Sequence, residues 1–314
     1  MDAARDRATG EIVSGVELWL LDFVDKNGYE CRGCGVPLNP VSFERGLKRR
    51  PYFKLFDGTS HENDCDVEVL NDLKKRARYK SVSRPDGFPV SHPNRLVLLD
   101  RQEIVRSAER IDDHAASGWK NSSRSSRDPL AARRKPHNWI ARTIRPLVRH
   151  YIQFPHDRHL PLHVPEVNGQ TFRGVFKRLF YQPDVYFPDP RIFYGSLHFR
   201  QTIEGTDFVD VWLSQGEWAR NQTPRELIHP YVVRIHTAGW SDRKRNYVLD
   251  EIHVAREEAR AAVQSSNSEI RAWLFFLGRQ DAENRFLFHV DDHRLICCEA
   301  DILISGAGVG TVNS

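Results

Sequence analysis

This chain has no long apolar run, and that absence limits its class. No stretch approaches the ~18 to 20 consecutive apolar residues that a membrane helix needs, and the opening MDAARDRATG lacks the apolar segment of a signal peptide. We therefore expect a cytoplasmic protein with no membrane partner. A reducing compartment favours metal binding over disulfide formation when cysteines cluster.

Several enzyme signatures are missing as well. The chain contains no G-x-S-x-G and no H-E-x-x-H, so the hydrolases that carry those motifs have no support. It also contains no Glu-x-Lys, which restriction-type nucleases use with an acidic residue to hold Mg²⁺. Carboxylates that are close in sequence, such as Asp207 and Asp210, are interpreted as turn and solvent-facing charges. We predict a binding protein rather than an enzyme, with a metal-dependent nuclease as the enzymatic alternative.

The composition is that of a folded protein. The chain has 314 residues, of which 40% are hydrophobic and 11% aromatic, enough for two cores and an α+β fold. Its 46 Lys and Arg residues exceed the 42 Asp and Glu residues by only four. The basic residues are concentrated in three stretches before residue 136, however, and this concentration predicts a polyanion-binding surface more readily than a merely solvated face.

The cysteines point to a metal. Three of the five cysteines lie within 35 residues, and Cys31 and Cys34 form a C-x-x-C turn with glycines at 33 and 35. His61 and Cys65 form an H-x-x-x-C pair further on, so the four residues have the two-plus-two spacing of a structural Cys3His zinc site. The alternative is that these are ordinary reduced cysteines and a surface histidine.

A basic and aromatic loop separates the two ligand pairs, and we expect it at the tip of a metal-bound hairpin. Phosphate-rich partners suit such a loop. The predicted phosphate contacts are Lys48, Arg49, Arg50, Lys74, Lys75, Arg76, Arg78, Lys80, Arg133, Arg134 and Lys135. The predicted base-stacking residues are Tyr52 and Phe53.

The first 66 residues resemble the N-terminal zinc-ribbon segment of competence protein CoiA-like proteins. The resemblance rests on AARDRATGEIVSG, YECRGCG, KRRPYF and Cys65. Where that family usually has His-Phe-x-His, this chain reads Tyr52-Phe53-Lys54-Leu55, so the histidine ligand must be His61. Some CoiA-like proteins carry a nuclease domain, which is what the resemblance implies for the enzymatic alternative.

Three regions are predicted: a zinc-binding basic module over 1–110, a basic Ser/Arg-rich linker over 111–137, and an α+β domain over 138–314. Helical spacing predicts a helix over 138–152, kinked at Pro146, and a short helix within 167–180. From residue 191 the pattern is strand, strand, strand, helix, strand, strand. This is the order of an OB barrel, so we expect an OB-like domain that stacks bases on exposed aromatics.

Together these features predict a zinc-containing nucleic-acid-binding protein of a bacterial defence or mobile-element system. Its partner would be DNA or RNA, in single- or double-stranded form. Two alternatives remain open at this point: a metal-dependent nuclease related to the CoiA-like proteins, and an adaptor that uses a structural zinc to assemble a protein complex.

Overall fold

A computed structural model describes residues 1–44, 46, 49–63, 65–98, 138–182, 185–219, 226–265 and 267–304. The predicted linker over 111–137 lies outside the described residues, as do Lys48, Arg133, Arg134 and Lys135. The described residues form an α+β fold in which strands predominate. None of the described helices has the length and apolar character that a membrane crossing requires.

Five short antiparallel strands form an N-terminal sheet in the order β2-β1-β3-β4-β5. The strands are β1 (Ala3–Asp6), β2 (Ile12–Ser14), β3 (Tyr29–Glu30), β4 (Pro37–Val41) and β5 (Tyr52–Leu55). A 3-10 helix, Gly15–Leu20, follows β2 and is capped because the Glu17 carboxylate accepts a hydrogen bond from the Ser14 backbone N–H at 2.6 Å.

Among the described residues, four α-helices, a two-stranded parallel pair and a second 3-10 helix, His293–Leu295, lie outside the two larger sheets. The helices are α1 (Asp66–Ala77), α2 (Arg145–Gln153), α3 (Phe172–Val175) and α4 (Asp242–Gln264), and the pair is β6 (Pro93–Leu96) with β7 (Trp139–Ala141). The helix predicted over 138–152 begins only at Arg145, and Trp139–Ala141 instead forms strand β7. Pro146 lies in the first turn of α2, where the missing N–H of proline costs no helical hydrogen bond.

Eight strands form the large C-terminal sheet, in the order β10-β11-β12-β14-β13-β9-β8 with β15 also paired to β13. The strands are β8 (Phe176–Arg178), β9 (Arg191–Ser196), β10 (Ile203–Glu204), β11 (Phe208–Trp218), β12 (Leu227–His236), β13 (Arg271–Gln280), β14 (Leu287–Val290) and β15 (Ile296–Asp301). The helix predicted within 167–180 is only the four residues of α3, because the chain then pairs with β9 as β8.

The predicted OB-like barrel is wrong. Across the described residues the sheet is open, with β10 at one edge and β8 at the other. The order of elements matches an OB fold, but their pairing does not, since β14 pairs in parallel with β12. Parallel pairing requires a crossover connection, and α4 together with β13 provides it. Periodicity indicates strands and helices but does not say which strands become neighbours.

The central strand β13 is buried on both faces. Trp273, Phe275 and Leu277 face the core that contains α2, whereas Leu274 and Phe276 face the core that contains α4. The apolar run of this strand follows from this double burial. The 3-10 helix of the N-terminal part packs in the α4 core through Val16 and Trp19, and α1 packs in the α2 core through Leu73 and Ala77.

A buried ion network also joins the N-terminal sheet to the large sheet. Arg145 of α2 is fully buried and pairs with Glu251 of α4 and Glu299 of β15. Arg50 reaches the same network from the loop before β5: its Nε lies 3.1 Å from Glu258 Oε2, and its Nη1 lies 3.4 Å from Glu299 Oε2.

Arg149 completes the network, with its Nε 3.0 Å from Glu299 Oε1. Arg145, Arg50 and Arg149 thus pair with Glu251, Glu258 and Glu299. This pairing compensates the free-energy cost of burying the charges. Burial alone would raise the pKa of Glu299, but Arg149, Arg50 and Arg145 lower it to about 2. Glu299 is thus ionised throughout the neutral range.

Candidate metal centre

Four predicted ligands converge beside the N-terminal sheet. Cys31 directly follows β3, Cys34 lies in the turn before β4, His61 lies in the segment after β5, and Cys65 is the residue before the first turn of α1. Their ligand atoms all lie within 4.8 Å of one another. The four residues are therefore close enough to hold one metal ion, as the spacing predicted.

The distances within the cluster are those between the corners of a small tetrahedron. The Sγ atoms of Cys31 and Cys65 are 3.6 Å apart, and Nδ1 of His61 lies 3.3 Å from Cys34 Sγ and 3.5 Å from Cys65 Sγ. With Zn–S bonds of about 2.3 Å, sulfur–sulfur edges are about 3.8 Å and sulfur–nitrogen edges about 3.6 Å. The geometry is compatible with zinc, with Nδ1 as the histidine ligand atom.

The backbone of the C-x-x-C turn explains its two glycines. Gly35 has φ +76° and donates its N–H to the Cys31 carbonyl at 2.9 Å, a conformation that residues with a Cβ adopt only under strain. Gly33 lies against the second ligand pair, because a Cβ there would come within 3.0 Å of Cys65 Sγ. The turn thus brings the first pair into contact with the second.

The thiols of the cluster have shifted pKa values. Burial acts to raise the pKa of Cys34, but hydrogen bonds with His61 and with neighbouring backbone groups lower it to about 6. Burial and the adjacent thiols of Cys31 and Cys34 raise the pKa of Cys65 to about 12. Crowded thiols therefore resist a second deprotonation, and a divalent cation is the group that stabilises several thiolates together.

The cluster is also part of a core. Cys31 and Cys65 are buried and belong to the same cluster of side chains as Leu18, Leu38 and Phe53. Four protein ligands fill a tetrahedral coordination sphere and leave no position for water or substrate. The arrangement suits an ion that holds the fold together rather than one that performs chemistry.

The predicted hairpin tip is only partly available to a ligand. Arg49 is exposed and Tyr52 is 36% exposed. Phe53 is fully buried against Tyr29, with ring centroids 5.1 Å apart, so it is a core residue and not a base-stacking one. The guanidinium of Arg50 is committed to Glu258 and to the network around Glu299, because Arg50 lies against α4 and β15 instead of projecting into solvent.

The basic run of α1 has a different placement. Lys75, Arg76, Arg78 and Lys80 are exposed, whereas Lys74 is partly buried on another side of the helix. Sequence reasoning missed Tyr79, which is 84% exposed between Arg78 and Lys80. An aromatic residue within a basic run was the signal that could have identified it.

A second polar arrangement was also missed. On the exposed face of the large sheet, His236 Nε2 lies 2.9 Å from His289 Nδ1, and His289 Nε2 lies 2.9 Å from Asp281 Oδ2. Asp210, considered as a nuclease carboxylate, forms a two-point pair with Arg234 at 2.8 Å. Among the described residues, the Cys3His cluster is the one group of three or more metal-binding side chains close enough to share an ion.

In comparisons with known protein families, curated proteins and solved structures, no match to this chain was found. We therefore infer function from the residues and the geometry of the chain itself.

Proposed function

We propose that this chain is a nucleic-acid-binding protein in which a structural zinc ion positions a basic helix. The observation that carries the proposal is the junction at Cys65. This residue is both a member of the Cys3His cluster and the residue that precedes α1, so an ion bound there fixes the start of the helix. The exposed cations and Tyr79 lie at the other end of the helix, in its last turn and in residues 78–80 that directly follow it.

Zinc is the ion that best suits this donor set. Three thiolates and an imidazole are soft and borderline ligands, and a tetrahedral arrangement of them is typical of zinc. Hard cations such as Mg²⁺ prefer oxygen donors in an octahedral arrangement. The ligand spacing and the inter-ligand distances of 3.3 to 3.6 Å support the same choice.

The charge distribution of α1 supports a polyanionic partner. Asp66 and Glu68 occupy the first turn beside the cluster, and the basic residues occupy the opposite end. Lys75 of the helix pairs with Asp72 at 3.3 Å, but both side chains are exposed, and such pairs contribute little. The exposed cations thus remain able to neutralise phosphates, and the Tyr79 ring offers a surface on which a base can stack.

The test is a binding titration of the zinc-loaded protein with single- and double-stranded DNA and RNA at two salt concentrations. We expect replacement of Lys75, Arg76 and Arg78 by Ala to weaken binding and to reduce the salt slope by up to about 3, since each lost phosphate contact changes it by about 0.9. The matched control replaces Lys26, Lys244 and Arg271, which are exposed elsewhere, and should leave both quantities unchanged.

Failure to bind any of the four nucleic acids at low salt would contradict the proposal and favour the adaptor alternative. Cleavage that depends on Mg²⁺ or Mn²⁺ would favour the nuclease implied by the CoiA-like resemblance, which stays a prediction. Membership of a bacterial defence or mobile-element system is likewise part of the proposal and not of the observations.

A further inference from the structure

A cavity of about 290 Å³ lies between the metal-bearing N-terminal part and α2. Its lining comes from four separate parts of the chain: the β1–β2 region with the C-x-x-C turn, helix α1, residues 91–93 at the start of β6, and the segment that runs from β7 through α2. Polar side chains of its wall include Arg32, Lys74, His92, Arg149, His150 and Gln153. The cavity is distinct from the exposed end of α1 that carries Tyr79.

The wall of the cavity carries more positive than negative charge. Asp2 is the carboxylate on the wall, and its Oδ2 lies 3.5 Å from Nη1 of Arg149. Neither Arg32 nor Lys74 forms an ion pair with a carboxylate among the described residues. Burial lowers the pKa of Lys74, and although Asp2 opposes this, Arg149 and Arg32 lower it further. Neighbouring cations in a cavity wall destabilise one another, and an anion bound between them would relieve this repulsion.

The cavity wall also contains polar atoms without partners. Nε2 of His150 and Nε1 of Trp139 are buried, and neither has a hydrogen-bond partner among the described protein atoms, while the buried ring of His92 has a backbone contact with Val90. Buried polar groups normally have partners, and such a concentration of orphans beside one cavity is unusual. Because burial lowers the pKa of both histidines, their rings are neutral and can act as donors or acceptors.

Apolar side chains complete the wall. Val67, Leu70, Pro93 and Phe154 lie around the same space as the cations. Pockets that bind small molecules combine an apolar lining with a few convergent polar groups, and their volumes start near 300 Å³. A volume of about 290 Å³ is more than inorganic phosphate requires and is suitable for one nucleotide.

We propose that this cavity binds the phosphate and base of a single nucleotide, either free or at the phosphorylated end of a strand. Lys74 and Arg32 contact the phosphate, and Trp139 with its apolar neighbours contacts the base. This inference goes beyond the function proposed above, because the exposed cations of α1 are not part of the cavity.

Neighbouring lysines of α1 provide a matched test. Lys74 lines the cavity and Lys75 is exposed, so Lys74→Met and Lys75→Met remove the same charge from adjacent positions. The ligands for calorimetric titration of the full zinc-loaded chain are the four common nucleoside monophosphates, the matching nucleosides and inorganic phosphate. We expect at least one monophosphate to saturate the protein, with affinity reduced about tenfold or more in Lys74→Met and unchanged in Lys75→Met.

The ligand-free melting temperature gives a second readout. Since the charge of Lys74 is disfavoured by burial, Lys74→Met should melt at an equal or higher temperature than the parent while binding more weakly. A variant that simply misfolds would melt lower. Oligonucleotides with a 5′-phosphate, a 3′-phosphate or hydroxyl ends then identify the source: preference for a phosphorylated end indicates a strand terminus, and equal saturation by free monophosphate indicates a small ligand.

Three results would overturn the inference: no saturation by any monophosphate, equal affinity for inorganic phosphate and monophosphates, or equal loss in Lys74→Met and Lys75→Met. The variant that replaces Lys75, Arg76 and Arg78 separates this inference from the proposed function. It should retain monophosphate binding in full even where its nucleic-acid binding is lost. Loss of both would show that one surface binds both ligands and would contradict a separate nucleotide site.

Discussion

The two sheets of this protein are stabilised in different ways. The N-terminal sheet has a core of eight buried side chains among the described residues, and two of these, Cys31 and Cys65, belong to the candidate metal cluster. The large sheet has about three times as many buried side chains on each of its two faces. Burial alone supports the large sheet, whereas we expect the small one to depend on a bound ion and on its contacts with the rest of the chain.

From this difference we expect the N-terminal sheet to unfold before the large sheet. Removal of a bound ion should weaken the small core, because two of its eight side chains, Cys31 and Cys65, belong to the Cys3His cluster. Removal of the ion network weakens the junction between the sheets but leaves both faces of the large sheet packed. The predictions below test this order, beginning with the largest expected effect on stability.

The largest effect should follow metal removal. Structural zinc sites contribute about 10 to 16 kcal/mol in isolated zinc-finger peptides, so a chelator should unfold the N-terminal sheet. Hydrogen exchange should lose protection over Ala3–Asp6 and Tyr52–Leu55 while Arg271–Gln280 stays protected. Equal loss of protection in both sheets would show that they form one cooperative unit.

The next effect should come from the buried arginine of the network. Arg145→Met leaves Glu251 without its arginine partner in the interior and removes one of the three arginines that pair with Glu299, and breaking such a buried pair costs about 3 to 5 kcal/mol. Urea unfolding measures this loss. The double variant Arg145→Met with Glu251→Gln should recover part of it, and a double variant that merely adds the two single costs would show that the residues are not coupled.

Acid should weaken the same junction. The pKa of Glu299 is about 2 in the folded chain against an ordinary value of 4.5, so its contribution to stability is present above pH 4.5 and is lost as the pH falls toward 2. The shift corresponds to about 3 kcal/mol. Urea unfolding between pH 6 and pH 2.5 should show a smaller decrease in Glu299→Gln than in the parent, and identical decreases would remove Glu299 from the account.

The C-x-x-C turn should show a smaller effect. Gly35→Ala places a Cβ at φ +76°, which costs about 1 to 2 kcal/mol through the backbone, since no atom lies within 4 Å of the added carbon. The melting temperature and the zinc affinity should both fall. Gly174→Ala, at a helical position with ordinary neighbour distances of 3.4 and 3.6 Å, is the control and should change neither.

The smallest effect on stability should come from replacing Tyr79, the exposed aromatic residue just after α1. Tyr79→Ala should change the free energy of unfolding by less than about 0.5 kcal/mol because the ring is exposed. The same change should weaken single-strand binding by about 1 to 3 kcal/mol if a base stacks there. Phe23→Ala, 79% exposed, is the control, and equal binding losses in the two variants would argue against a specific stacking role.

Sequence patterns predicted the parts of this structure that depend on local spacing. The ligand pairs were recognised because covalent spacing alone limits which residues can share one ion. Periodicity predicted a helix among the strands from 191 onward, which is α4 (Asp242–Gln264), since burial on one or two faces leaves a direct pattern in the sequence.

Long-range pairing was not predictable in the same way. The parallel neighbours β12 and β14 are separated by α4 and β13, and nothing in either strand specifies the other. The basic loop failed for a related reason: Arg50 looks like a solvent-facing cation until Glu258 and Glu299, more than two hundred residues away, are placed beside it. Charged residues are usually exposed, but one that finds an opposite charge in the interior can be buried as part of an ion pair.

The metal content of the purified chain tests the central claim most directly. Elemental analysis of the parent, of Cys65→Ser and of Cys298→Ser compares a proposed ligand with a buried thiol in the core of the large sheet. The account predicts one zinc per chain in the parent and in Cys298→Ser, and a large loss in Cys65→Ser. A parent without tightly bound metal, or full zinc retention in Cys65→Ser, would contradict it.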